Sequence, residues 1–204
     1  MADNKSLSTY HISSNLEQYE VARSGFFTLI IEDLDELVRS DFNLDSPSSE
    51  DILTNGQKVI ELSVDSASIP HFTVGTKEIR RGNSSIKVAT TPSFEDISIT
   101  CTDFVGLQTK DVLMAWKALT YDVNSDKGGR MGNWTDENGI SHQGYKKNAT
   151  LIEYTQDHRP IRSWTYIGCF ITSISESEFN KESDDLRKIT VKISVDRAVM
   201  NRSL

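Results

Sequence analysis

The chain has 204 residues, of which 37% are hydrophobic and 25% charged, with 30 acidic against 22 basic side chains and a formal charge of −8. That length suits one good-sized domain or two small ones, and the ordinary charged fraction excludes wholesale disorder. The acidic balance excludes a protein that reads DNA through a basic stripe, although repulsion is useful where DNA must slide past without sticking.

Residues 1–24 are polar and weakly patterned and read as an N-terminal arm. Gly25–Ile31 (GFFTLII) is the first firm strand, apolar on both faces, so both faces are expected to be covered. Residues 32–57 form a long acidic, Ser-rich connector with a Pro47 segment and an Asn55-Gly56 turn signal. Val59–Asp65 (VIELSVD) alternates, with Ile60, Leu62 and Val64 on one side, and predicts a strand paired with 25–31 as a hairpin. Ile69-Pro70 ends it, because proline cannot donate to a ladder.

Thr76–Arg81 and Ser84–Thr90 flank Gly82-Asn83, a dipeptide suited to a tight hairpin turn, with Ile86 and Val88 expected inward. Glu95–Thr102 (EDISITCT) alternates Ile97, Ile99 and Cys101 against Asp96, Ser98 and Thr100. The period then changes. Val112, Trp116 and Leu119 recur at helical spacing in Thr109–Leu119, with Thr109 as the expected N-cap and Asp111 at the positive end of the dipole. This is the one helix expected with a core-facing stripe.

A second long loop, 122–144, is rich in glycine. Lys147–Tyr154 and Arg162–Ile171 read as strands, the second apolar on both faces. An acidic loop at 175–185 follows. Arg187–Asp196 (RKITVKISVD) closes the pattern, alternating Ile189, Val191, Ile193 and Val195 with Lys188, Thr190, Lys192 and Ser194, a strand with one dry and one wet face. The expected architecture is mainly β, a two-sheet barrel or sandwich with one flanking helix and long inter-strand loops. It comprises a single domain over 25–198 and a C-terminal tail at 199–204.

No catalytic centre is legible, and the chain is expected not to be an enzyme. His11, His71, His142 and His158 are scattered over turns and loops, without metal-ligand or general-base spacing. Cys101 and Cys169 fall in apolar runs with no C-x-x-C, which reads as two buried reduced thiols. Lys127-Gly-Gly-Arg130 lacks the context of a phosphate loop, and Glu176, Glu178, Asp184 and Asp185 lack calcium-loop spacing, so no cofactor or metal is expected. No leader-like segment opens the sequence and no apolar run approaches the roughly 18 residues of a membrane span. Cytosol-like conditions are therefore expected, with the Asn-x-Ser/Thr triplets at Asn83, Asn133 and Asn148 as chance matches. The dense basic pairs Arg80-Arg81 and Lys146-Lys147 fit either a salt-bridged surface or an inter-subunit contact with acidic loops at 32–51 or 176–185, which include Asp184 and Asp185.

Several segments resemble the tail tube proteins of contractile-tailed phages. The continuous run Gly144–Ala198, opening GYKKNATLIEY, resembles that family's closing block. SASIP at 66–70, PSFEDISITCTD at 92–103 and DVLMAWKAL follow its middle block. The matched positions are Pro70, Phe94, Asp96, Trp116, Tyr145, Lys146, Lys147 and Gly168. In the family these serve fold and assembly. The resemblance implies a β-barrel with a flanking helix, related in fold to type VI secretion and pyocin tube proteins, in hexameric rings that stack into a hollow tube. The implied partners are further copies of the chain, a tail sheath protein, and baseplate and tail-terminator proteins, with DNA passing through the lumen without specific binding. The implied location is a virion assembled in the host bacterial cytoplasm. Asp96, Ser98, Thr100, Lys188 and Lys192 are the lumen-facing candidates, and the connector 32–57 is expected to reach the adjacent ring. A tube-like baseplate or initiator protein forming one ring, a bacteriocin or secretion tube, a ligand-binding β-barrel and a hydrolase are the alternatives.

Overall fold

The computed structural model describes residues 23–34, 56–104, 108–178, 180 and 184–201. Most of the N-terminal arm, most of the connector and part of the acidic loop therefore lie outside the described residues. The chain is mainly β, with two helices among the described residues. In order it runs β1 (Phe27–Ile31), α1 (Gly56–Ser63), β2 (Val64–Ala67), β3 (Phe72–Arg81), β4 (Ser84–Phe94), β5 (Ile97–Thr102) and α2 (Thr109–Thr120). Two short pairs follow, β6 (Tyr121–Asp122) with β7 (Lys127–Gly128) and β8 (Trp134–Thr135) with β9 (Ser141–His142). The chain continues through β10 (Lys147–Tyr154), β11 (Pro160–Glu176), β12 (Lys188–Ser194) and β13 (Arg197–Asn201).

The main sheet has the order β1-β10-β11-β12-β5-β2, and β13 also pairs with β11. β11 belongs to both of its halves. Residues 160–169 pair with β10 on one flank, while the other flank takes β13 over 163–167 and then β12 over 170–176. The switch occurs at Gly168, whose φ is +71°, in the left-handed region that only glycine enters without strain. An added Cβ there would collide with the Asp196 carboxylate. Asp196 donates its N–H to Ile167 O at 3.1 Å and its carboxylate receives Lys146 Nζ.

This corner explains why 162–171 looked apolar on both faces. Trp164 and Tyr166 are buried before the corner, and Cys169 and Ile171 after it. The left-handed residue shifts the alternation by one, so both sets point into the same core. Ile167 is left outward, at 43% exposure, and Phe170 is half-buried between Cys169 and Ile171.

The core joins these residues to Leu29 and Ile31 of β1, Ile97, Ile99 and Cys101 of β5, and Ile189, Val191 and Ile193 of β12. Helix α2 closes it with Val112, Leu113 and Trp116, as its spacing predicts, and Trp116 Nε1 donates to Tyr145 O at 3.0 Å. Thr109 is not the N-cap. Gln108 takes that position with φ 50°, and the buried Thr109 hydroxyl bonds Ser63 Oγ at 2.7 Å. Both thiols are buried, and burial pushes each to about 12, so neither is a nucleophile at neutral pH.

Four expectations are corrected. Residues 56–63 are a helix, not half of a hairpin with 25–31. Gly56, Val59, Ile60 and Ser63 are buried at helical spacing while Leu62 is 59% exposed. β1 pairs instead with β10, and only 64–67 continues as a strand, on β5. Ile86 and Val88 do not point into a core, because the whole β3–β4 hairpin is solvent-exposed apart from Phe94, which is half-buried. The Gly-rich loop 122–144 contains the two short strand pairs named above. Residues 199–201 of the expected C-terminal tail belong to β13, which extends the sheet.

Gly168→Ala is expected to cost about 1–3 kcal/mol through positive-φ strain and displacement of Asp196. The urea midpoint reads this, and an unchanged midpoint would show that the corner tolerates a side chain.

Candidate functional site

Three surfaces are candidates for assembly. The first is the outer face of the sheet formed by β11, β12, β5 and β2. Register sets Lys192 opposite Ser98, Thr190 opposite Thr100 and Lys188 opposite Thr102, with Ser173 and Ser175 flanking on β11. Partners in an antiparallel ladder point to the same side. Four lumen candidates, Ser98, Thr100, Lys188 and Lys192, therefore share one face, with Asp96 exposed just before it. The face is dominated by small hydroxyls and is not acidic. Lys188 lies 3.7 Å from Asp65, whose carboxylate also accepts the Thr102 hydroxyl at 2.6 Å.

The second surface is a pair of open edges. β11 runs beyond its last β10 partner, Cys169, so 170–176 has a strand on one flank only among the described residues. β2 pairs with β5 and has no strand on its other side among the described residues. An open edge presents unpaired backbone groups to any second chain. The end of the β11 extension is held by charge. Glu176 accepts Lys110 Nζ at 3.0 Å and is bonded by the Arg187 guanidinium, which also reaches Asp103 at 3.2 Å. These bonds, from Lys110 first and then Arg187, hold the Glu176 carboxyl below its usual range.

The third is the β3–β4 arm. Ser68 N–H to Ser98 O at 2.9 Å and Glu95 N–H to His71 O at 3.0 Å carry the β2–β5 pairing into it, so one ribbon runs from the sheet to the Gly82-Asn83 turn. Beyond that root the arm makes no substantial contact with any other element among the described residues. It carries Lys77, Arg80, Arg81 and Lys87 against a single acid, Glu78.

The six contact candidates are not brought together. Arg80 and Arg81 sit at the end of the arm, and Asp184 and Asp185 are exposed before β12. Lys146 is tied to Asp196 at the corner and lies 6.0 Å from the Phe170 ring, which also meets Tyr145 at 5.5 Å. Lys147 is only 3% exposed and donates to Gln143 Oε1 at 2.8 Å, so it points into its own subunit. Pro70 lies in the link between β2 and β3, and Phe94 closes β4 against Phe72 at 5.9 Å.

Sequence reasoning missed the Lys110–Glu176–Arg187–Asp103 network. Its one signal was Lys110 in the first helical turn, where the dipole disfavours a cation. It also missed a stack in the Gly-rich segment, where Trp134 lies against His142 at 4.3 Å and Arg130 sits 4.2 Å over the Trp134 ring. Asn138-Gly139 between Trp134 and His142 was the available hairpin signal. Among the described residues, no three His, Cys, Asp or Glu side chains gather as metal ligands, and no helix is long and apolar enough to cross a membrane.

Comparison with known proteins agrees with this geometry. The sequence profile of the family described as T4-like virus tail tube protein gp19 matches residues 52–198. No curated protein matches the chain. A chain of the sheath–tube complex of an extracellular contractile injection system, PVC, in its extended state shares the fold. Its TM-score is 0.61 at 16% identity, over 95% of this chain and 99% of that one. A chain from the tube-terminating cap of the anti-feeding prophage gives 0.58 at 14% identity, over 90% and 92%. One from the PVC sheath/tube terminator gives 0.58 at 18%, over 90% and 97%.

A carboxyl held low in the fold adds stability above its ordinary pKa and loses it as pH falls through the folded value. Glu176→Gln is therefore expected to lower the thermal midpoint near neutrality, with the gap closing as pH drops below about 4. A gap that persists in acid would show that the charge of Glu176 is not what holds the strand end.

Proposed function

The chain belongs to the T4-like virus tail tube protein family, a family of structural proteins, and from that premise we propose that its copies form hexameric rings that stack into the hollow inner tube of a contractile tail. The observation that carries the reading is the direction of the two open edges. β11, β12, β5 and β2 are successively antiparallel, so β2 runs opposite to β11. Rotation about an axis along the strands preserves their direction. The β2 edge of one copy therefore meets the 170–176 edge of the next as an antiparallel pair, and repetition closes a ring with no edge left over. A closed wall of this kind removes the aggregation hazard that the lone subunit carries.

In that wall the hydroxyl-rich face of β5 and β12 lines the passage. Small neutral side chains, with lysines balanced by nearby Asp65 and Asp96, let DNA slide through without a continuous basic track to hold it. The helices then stand on the outer side, available to a tail sheath protein, and the ends of the stack meet baseplate and tail-terminator proteins. The protein works in the virion and assembles in the host bacterial cytoplasm. A single-ring role at one end of a tail, or a tube in a particle that carries no genome, uses the same subunit. The fold likeness to cap and terminator chains keeps this second reading open.

Negative-stain electron microscopy of the purified protein tests the proposal. Long hollow stacks are expected, single rings alone would favour the end-piece role, and monomers at high concentration would refute ring formation. The arm offers a sharper test. Replacing 72–94 by an Asn-Gly turn joins His71 and Glu95, which are already hydrogen-bonded neighbours. The shortened chain is expected to keep its thermal midpoint within a few degrees, because the arm buries little against its own subunit, and to form no long tubes. Normal tubes from it would remove the arm from the assembly.

A further inference from the structure

We propose that the charged row Asp103–Arg187–Glu176–Lys110 is a latch that holds the open 170–176 edge in the extended form a second copy must pair with, so that Lys110 and Arg187 control assembly by positioning that edge rather than by touching the neighbour. The latch presupposes the ring reading and says what regulates the edge that ring formation uses.

Alternation places the row. The register sets Ile174 opposite Val191 and Glu176 opposite Ile189, and both of these partners are buried. Partners in an antiparallel ladder share a side, so Glu176 stands on the core side of the sheet, at its end. Arg187 comes two residues before Ile189, and Asp103 two residues after Cys101, which Ile189 faces. Each therefore continues the core side of its own strand. Asp103 donates its N–H to Arg187 O at 3.0 Å, which carries the β5–β12 pairing out to them. Three strand ends thus bring an acid, a base and an acid into one line where the apolar face stops. Lys110, in the first turn of α2, adds a second base to it.

Lys110 Nζ lies 3.0 Å from one Glu176 carboxylate oxygen and 2.9 Å from the other. The Arg187 guanidinium bonds Glu176 through one nitrogen and reaches Asp103, at 3.2 Å, through another. The two acids and two bases cancel. The side chains of Asp103 and Glu176 are only 16% and 26% exposed. An isolated surface ion pair contributes little, but a planar fork shared by two carboxylates at the margin of a core loses less to water and fixes their geometry.

The end of the edge has little else to hold it. One flank carries β12, and the other carries no strand among the described residues. The register slips at Thr172. Past that bulge Ile174 is partly buried against the core, whereas Ser173, Ser175 and Ser177 are exposed. The Ser177 N–H to Lys188 O bond at 3.1 Å then closes the ladder. A strand end held on one flank opens locally at low cost. A copy that meets a frayed edge must order it first, so its apparent affinity falls in proportion to the time the edge spends extended. The row removes that cost, because Glu176 is tied to α2 on one side and to the ends of β12 and β5 on the other.

Two measurements on the full chain test the latch. Hydrogen exchange in dilute, unassembled protein reads the amides of 172–177, and sedimentation reads the concentration at which rings form. Glu176→Gln and Lys110→Gln are each expected to speed exchange at 172–177, to leave β5 and β10 unchanged, and to raise the ring-forming concentration about tenfold. Lys110→Arg, which keeps the charge in the row, is expected to match the unsubstituted chain within about twofold. Faster exchange with an unchanged ring threshold would reduce the row to a local strand support and overturn the latch. A raised threshold with unchanged exchange would make the row a direct contact with the neighbour, and exchange raised equally in β5 and β10 would mean general loosening; either result overturns it too. Variants that match the unsubstituted chain in both measurements would sink the latch alone. An unsubstituted chain that forms no rings at any concentration would sink the ring reading and the latch with it.

Discussion

The fold depends on one backbone constraint, the left-handed turn of Gly168 against Asp196. β11 is long enough to serve two halves of a sheet, but a regular strand would present alternate side chains to opposite faces along its whole length. The positive φ at Gly168 shifts that alternation, so Trp164 and Tyr166 on one side of it and Cys169 and Ile171 on the other reach one core. Asp196 fills the space where a side chain would stand and interrupts the facing strand at the same level, dividing β12 from β13. Lys146 binds that carboxylate and so attaches the end of the Gly-rich segment to the corner.

The same turn frees an edge. Past Cys169 the strand leaves β10 behind and continues with β12 alone, its end held by Glu176 between Lys110 and Arg187. The four strands from this extension to β2 are therefore a short open sheet with an apolar inner face, a hydroxylated outer face and two edges of opposite direction. Each property is ordinary by itself. Together they fit the wall segment we propose, because among the described residues both the edges and the arm leave bonding and apolar surface uncovered.

Electrostatics divides the molecule in a compatible way. Most of the chain is acidic, which keeps copies apart in dilute solution, whereas the arm is basic and projects. In the assembly we propose, contacts between copies form along strand edges, where backbone pairing outweighs the general repulsion. The outer sheet face stays close to neutral, since Lys188 has Asp65 beside it and the remaining side chains are chiefly hydroxyls.

Elements whose pattern is local are legible in the residues alone. β5 and β12 alternate cleanly because one face is core and the other solvent, α2 repeats Val112, Leu113 and Trp116 at the helical period, and Gly82-Asn83 makes a tight turn wherever it is placed. The tail-tube resemblance was also legible, since it is carried by short runs that survive in order. Tertiary structure alone decided the rest. VIELSVD satisfies a strand pattern and a helix pattern about equally, and its first five residues became helix because β10 occupies the edge of β1 and the core takes Val59 and Ile60. The double apolarity of β11 needed the Gly168 phase shift, and the burial of Lys147 needed Gln143 beside it. The exposure of the arm needed the tertiary structure, in which no described element packs beneath it. Periodicity reports which side chains share a face, and only packing reports what that face meets.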